Sequence, residues 1–139
     1  MRVHVQFPRL ADWPERLADL VELRRAAPFV WGANDCATFA ADAVLAITGV
    51  ELLGVLRGAW QSEDEAAARL RRAGGLPAAV AFRLGRPQRG CTGAGRGAIV
   101  CAAIPTPTVG VLLSGWWCAP GAAGLVFRPA AEVRLAWDL

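Results

Sequence analysis

Hydrophobic periodicity along this chain changes character once. Up to about residue 85, apolar residues recur at three- and four-residue spacing between helix-capping signals; from Ala98 onward they come in short runs broken by Gly, Ser and Pro. The first pattern lays one apolar stripe on a helix, and the second fills strands of a half-buried or buried sheet. Helices first and a meander of short strands after them predict an α+β domain, with N-terminal helices packed on a C-terminal antiparallel sheet.

The boundaries follow from local chemistry. Asp12-Trp13-Pro14-Glu15 reads as a capped helix start, followed by Leu17, Leu20, Val21 and Arg24 at helical spacing, with Ala27-Pro28 as the stop. A second helix opens at Asp35-Cys36; Cys36, Phe39, Ala40, Ala43, Val44 and Ile47 share one face, and Gly49 ends it. Ser62-Glu63-Asp64-Glu65 reads as a capping box for a third helix that stops at Gly74-Gly75. Leu52 to Trp60 reads as a loop turning at Gly58, a short helical piece follows Pro77 and ends near Gly85, and Arg86 to Arg96 has no periodicity and reads as loop. Strands are expected over Ala98–Ile104, Thr108–Leu113, Trp116–Cys118, Gly124–Phe127 and Glu132–Trp137. No repeat or linker interrupts the pattern, so residues 1–139 read as a single domain.

At 139 residues and 55% hydrophobic content, one such domain can bury a real core. No apolar run approaches the roughly 20 residues that span a bilayer, and the first eight residues carry no apolar signal-peptide core. The expectation is therefore a chain made in the cytoplasm, with no membrane partner. All 15 basic residues are arginine, and they are scattered rather than gathered on one stripe. Nucleic-acid binders concentrate their charge, so no nucleic-acid partner is expected.

Chemistry narrows to the cysteines. Cys36, Cys91, Cys101 and Cys118 show no C-x-x-C spacing, and His4 is the sole histidine, so no metal site and no cofactor are expected. Cys36 stands apart because a thiol at a helix N-terminus feels unpaired N–H groups and the positive end of the helix dipole, which favour the nucleophilic thiolate. The other reading of Cys36 is plain packing, as the first residue of the apolar stripe. Among the six tryptophans, Trp31 and Trp137 are expected in the core. Trp116 and Trp117 are adjacent in a strand and must point to opposite faces, so one of the pair is a candidate partner surface.

The segment Phe29-Val30-Trp31-Gly32-Ala33-Asn34-Asp35-Cys36 resembles the nucleophile segment of NlpC-type cysteine peptidases, which have a papain-like fold. It is closer still to a divergent group of phage and prophage proteins that share Phe-x-Trp-Gly-x-Asn-Asp-Cys, the following Ala41-Asp42 and Thr48-Gly49, a Gly-Gly near position 74 and a late Ala136-Trp137. The resemblance covers most of the chain and is specific around residues 29–49. It implies a papain-like NlpC-type domain with Cys36 at the nucleophile position.

The departures from that family are as informative. Its catalytic histidine precedes a Val-Gly-Ile strand, where this chain has Thr108 before Val109-Gly110-Val111; its Gly-Asp becomes Gly97-Ala98; its tyrosine becomes Phe29; and the aromatic and Gly-rich stretch after Gly115 offers no evident candidate for the third polar residue that orients the histidine. A Cys–His enzyme needs a base to hold the thiolate and an acid for the leaving amine, and a threonine supplies neither near neutral pH. His4 could substitute only if the N-terminus crossed the site. The resemblance therefore implies a degenerate peptidase kept as a structural component of a phage tail tip or baseplate, located in the virion and contacting neighbouring tail-tip or hub proteins. The alternative is an active cysteine peptidase or amidase that cleaves peptidoglycan through Cys36. A four-cysteine metal module is a third, weaker reading.

Overall fold

A computed structural model describes residues 7–85, 89–90, 93–103 and 106–139; His4, Arg86, Cys91 and Ile104 lie outside them. The order is helices α1 (Trp13–Arg24), α2 (Cys36–Thr48), α3 (Glu63–Ala73) and α4 (Leu76–Leu84), then strands β1 (Arg89–Gly90), β2 (Ile99–Ala102), β3 (Thr108–Leu112), β4 (Trp116–Gly121), β5 (Gly124–Pro129) and β6 (Val133–Trp137). The chain is thus α+β, four helices followed by one antiparallel sheet ordered β1-β6-β2-β3-β4-β5. Among the described residues, no helix is long and apolar enough to cross a membrane.

Helix α2 is the element around which the rest is placed. Its N-terminus is closed by a reciprocal capping box: the Thr38 N–H donates to Asp35 Oδ1 at 2.9 Å, and the Asp35 N–H donates to Thr38 Oγ1 at 2.8 Å. Gly49 ends it in the left-handed conformation that a residue with a Cβ resists. Phe39, Ala43, Val44 and Ile47 are fully buried, as the apolar face predicted, and Thr38, Ala41 and Thr48 are buried too. The helix is enclosed on more than one side, by α1 through Leu17 and Val21 and by one face of the sheet through Ile99, Cys101, Val109, Val111 and Cys118.

The central strands alternate cleanly. Ile99 and Cys101 of β2 face the helices, while Val100 and Ala102 join Ala98, Leu112, Trp117, Ala119, Val133 and Ala136 in a second apolar layer on the other face. That second layer is built on small residues around one large one. A Cβ at Gly110 would lie 2.9 Å from the Trp117 ring and 2.3 Å from the Cys118 carbonyl oxygen, so only glycine lets the indole lie across β3. The outer edge of β5 is partly closed: the Leu125 N–H donates to the Arg25 carbonyl, and Pro129 has no N–H to offer.

Several local expectations give way to tertiary partners. Asp12 does not cap α1; its carboxylate takes the Arg16 guanidinium at 3.0 Å instead. Helix α1 ends at Arg24 with Arg25 as its cap, just ahead of Ala27-Pro28, and the Arg24 side chain turns to a polar cluster described below. At α3, Ser62 accepts from the Glu65 N–H as expected, but Glu65 reaches past it to the Gln61 N–H at 2.6 Å, so the box is not reciprocal. The loop over 52–60 contains a 3₁₀ turn at Gly54–Leu56, and the stretch expected as loop over 86–96 contains the two residues of β1, paired with β6. Strands β4 and β5 run on to Gly121 and Pro129, because they pair over their whole length from Gly121 opposite Gly124 to Trp116 opposite Pro129. Trp137 is in the core at 1% exposure, whereas Trp31 is 36% exposed and stacks edge-on against Phe29 instead.

Candidate functional site

Cys36 and the start of β3 meet. The thiol, at the first residue of α2, lies against the backbone N–H of Val109, with the N–H groups of Ala37 and of Cys36 itself also turned toward it. Thr108, the position where the resemblance places a histidine, is therefore the neighbour of the residue that touches the nucleophile position. Its hydroxyl, however, donates to the Thr106 carbonyl at 2.8 Å and is spent on the turn into β3. Strands β3 and β4 pair with Val111 opposite Cys118, which carries Gly121 to the Thr108 end of the sheet, and there the Phe29 N–H donates to the Gly121 carbonyl. The loop before α2 thus runs along the same sheet end as Thr108.

The electrostatics run against a thiolate. Burial pushes the Cys36 thiol above its ordinary value, and the adjoining Asp35 carboxylate adds to the push; the N–H groups of Val109, Ala37 and Cys36 pull the other way and do not prevail. A helix N-terminus favours the anion, as the sequence suggests, but desolvation outweighs it here. Cys101 and Cys118, on the same face of the sheet, are pushed up to about 12, in both cases by burial. Cys36, Cys101 and Cys118 are free thiols. Among the described residues, no group of three His, Cys, Asp or Glu is placed to hold a metal ion.

These thiols make a prediction about alkaline stability. A cysteine in the unfolded chain ionises near about 8.5, whereas Cys101 and Cys118 in the folded protein hold their protons to about 12. Below pH about 8 both states are largely protonated and little is lost. Above it the unfolded state sheds protons first, so stability falls by as much as about 1.4 kcal/mol per pH unit for each thiol. Lysine and tyrosine are absent from the chain, so few other groups titrate in that range. Urea unfolding from pH 7 to pH 11 should show a level midpoint to about pH 8.5 and a decline beyond it. The decline should flatten in the double variant Cys101→Ala, Cys118→Ala; a wild-type midpoint that stays level to pH 11 would contradict the burial assigned to these thiols.

What surrounds Cys36 is a built polar scaffold. Asp35 is 2% exposed, and its Oδ2 accepts from Trp60 Nε1 at 2.6 Å and from the Gly32 N–H at 2.8 Å, while Oδ1 takes the Thr38 N–H and hydroxyl. Gly32 is held so close to residue 60 that a Cβ would stand 1.9 Å from the Trp60 carbonyl oxygen. Asn34 donates to the Pro28 carbonyl at 2.9 Å and accepts from Arg24 at 2.9 Å. The same Arg24 guanidinium reaches Asp42 at 2.5 Å; Asp42 pairs with Arg57 at 2.7 Å, and Arg57 with Glu51 at 2.9 Å. Gly32, Asn34, Asp35 and Asp42, four residues of the shared string, therefore all have structural partners here that involve no substrate.

Sequence reasoning did not find Arg24, Arg57 or Trp60. One signal was present: Asp42 is the only charge in the otherwise apolar stretch of α2, and a carboxylate there needs a cation. The two tryptophans of β4 separate as their adjacency requires. Trp117 is 2% exposed and belongs to the second core layer, so it is not a partner surface; Trp116 is 51% exposed and lines a shallow apolar depression with Leu113 and Phe127.

The chain belongs to a family described as a domain of unknown function, DUF6950, whose family model matches residues 8–139. No curated protein matches it with significance.

Proposed function

We propose that this chain is a structural component of a phage tail tip or baseplate, or of a related phage-derived particle, built on a degenerate papain-like NlpC-type scaffold in the virion. The observation that carries the proposal is the state of the site at Cys36. The thiol lies against the first strand residues after Thr108, as a nucleophile facing a histidine-bearing strand would, yet the side chain at 108 is a threonine committed to a backbone carbonyl and the thiol is pushed up by burial. The scaffold is retained with its cap, its glycine contact and its ion network, while the groups that would do acid–base work are missing. Function then lies at exposed surfaces that meet neighbouring tail-tip or hub proteins, and Trp116 is the favoured anchor, because a large exposed aromatic is the side chain most enriched at interface centres.

One observation favours the enzymatic alternative: three backbone N–H groups converge on the Cys36 thiol, and an oxyanion or thiolate could use them. Purified wild-type chain and Cys36→Ala, incubated with bacterial peptidoglycan, decide between the two. The scaffold reading expects both to release no more soluble fragments than buffer does. Release by the wild type that disappears in Cys36→Ala would overturn it in favour of a peptidoglycan hydrolase.

A further inference from the structure

Among the described residues, α3 is the one α-helix without a buried side chain. It leans on the core through the half-buried Leu70. Its charges are segregated: Glu63, Asp64 and Glu65 fill the first turn, and Arg69, Arg71 and Arg72 come after the alanines. All of these are exposed, and among the described residues none of them is in an ion pair. Acids first and bases last suit the dipole of the helix, but the dipole does not choose a side of it. Helical spacing does: Asp64, Ala68 and Arg72 follow one another at four-residue steps on the side away from Leu70, with Glu65 and Arg71 flanking them. Asp64 and Arg72 stand about 12 Å apart along the axis, too far to meet within one helix. A face with acids at one end, arginines at the other and a small residue at its centre is complementary to itself turned end for end.

We infer that α3 is a self-association surface, on which a second copy of this chain docks antiparallel about a two-fold axis at Ala68. With that axis, Asp64 falls opposite Arg72 of the second copy and Glu65 opposite Arg71, and symmetry makes each contact twice. Glu65 gives one carboxylate oxygen to the Gln61 N–H and keeps the other for the partner. Ala68 has nothing beyond its Cβ, so the two helix axes can approach to about 8 Å. Antiparallel packing also places the positive end of each helix dipole beside the negative end of the other. Helix α4 packs beside α3 and adds apolar area, since Phe82, on the side away from the buried Leu76 and Leu84, is 80% exposed. Two short helices from each copy make an interface at the small end of the specific range, so the dimer is weak and its specificity is electrostatic. The inference is independent of the tail-tip reading.

Sedimentation equilibrium of the full chain tests it. In about 20 mM salt the wild type is expected to dimerise with a dissociation constant on the order of 100 µM, and about 500 mM salt should weaken it fivefold or more. Asp64→Arg and Arg72→Asp each set like charges opposite one another at two places, and each variant alone should associate at least about tenfold more weakly. Mixed in equal amounts, the two variants should pair with each other about as tightly as the wild type does with itself. In the mixed pair the introduced arginine faces the introduced aspartate, and the remaining Arg72 faces the remaining Asp64. A wild type that stays monomeric at about 1 mM in low salt overturns the inference. So does a dimer indifferent to salt or to both substitutions, and so does a mixture as monomeric as its two components. Should either variant lose helix signal by circular dichroism, the wild type at the two salt concentrations decides alone.

Discussion

Asp35→Ala is expected to destabilise the protein by about 3–5 kcal/mol, the sum of a lost helix cap and of buried donors left without an acceptor. The carboxylate serves the Trp60 indole N–H, the Gly32 N–H, the Thr38 N–H and the Thr38 hydroxyl at once. Alanine strands the first two in a site from which water is excluded, and the N-terminal turn of α2 loses its cap. For a chain of this length the loss corresponds to a melting temperature lowered by about 10–17 °C. Asp35→Asn keeps one acceptor oxygen and should cost about 1–2 kcal/mol. Thermal unfolding of the two variants checks the ordering. Equal, small losses would mean that the four bonds are not the support of the α2 cap.

Gly32→Ala is expected to be nearly as damaging, at about 2–5 kcal/mol, because two penalties coincide. The residue sits at φ +77°, where an L side chain is strained, and its Cβ would be 1.9 Å from the Trp60 carbonyl oxygen, a backbone atom that cannot simply rotate away. The chain over 58–60 would have to move, and it carries the indole that Asp35 holds. Gly58→Ala separates the two penalties, since Gly58 has φ +75° with open space around it; it should cost about 1–2 kcal/mol. Denaturant midpoints for the pair measure the difference, and equal losses would remove the contact with residue 60 as the reason for glycine at position 32.

The order of elements, the capped start of α2 at Asp35 and its glycine stop were legible in the sequence because each is set by neighbours within a few residues. So was the opposition of Trp116 and Trp117, which pleating alone dictates. Failures fell where a side chain had a choice of partner. Asp12 could cap or pair with Arg16, and it pairs; Arg24 lies at helical spacing with the apolar stripe, and only the folded chain brings Asn34 and Asp42 to it. Trp31 looked like core because it is large and stands beside a turn, but the tight contact of Gly32 with residue 60 leaves the indole at the surface with Phe29.

The chemistry of Cys36 was half legible. Its place at a helix N-terminus and its nearness to the strand after Thr108 could be anticipated from the resemblance, and the structure puts the thiol against Val109. The balance between helix-end stabilisation and desolvation could not, because desolvation depends on the sheet that folds against the start of α2. That balance keeps the half-buried thiol at the nucleophile position in its protonated form.

The proposal that function lies at exposed surfaces and not at Cys36 is tested most directly by particle assembly. Phage or phage-derived particles made with Cys36→Ala or with Trp116→Ser in place of the wild-type chain can be purified and counted, and their content of this chain measured. Cys36→Ala is predicted to enter particles at the wild-type level and to leave their infectivity or activity unchanged, and Trp116→Ser, a change at an exposed position that spares the core, to reduce incorporation. Normal incorporation of Trp116→Ser together with loss of particle function in Cys36→Ala would contradict the proposal.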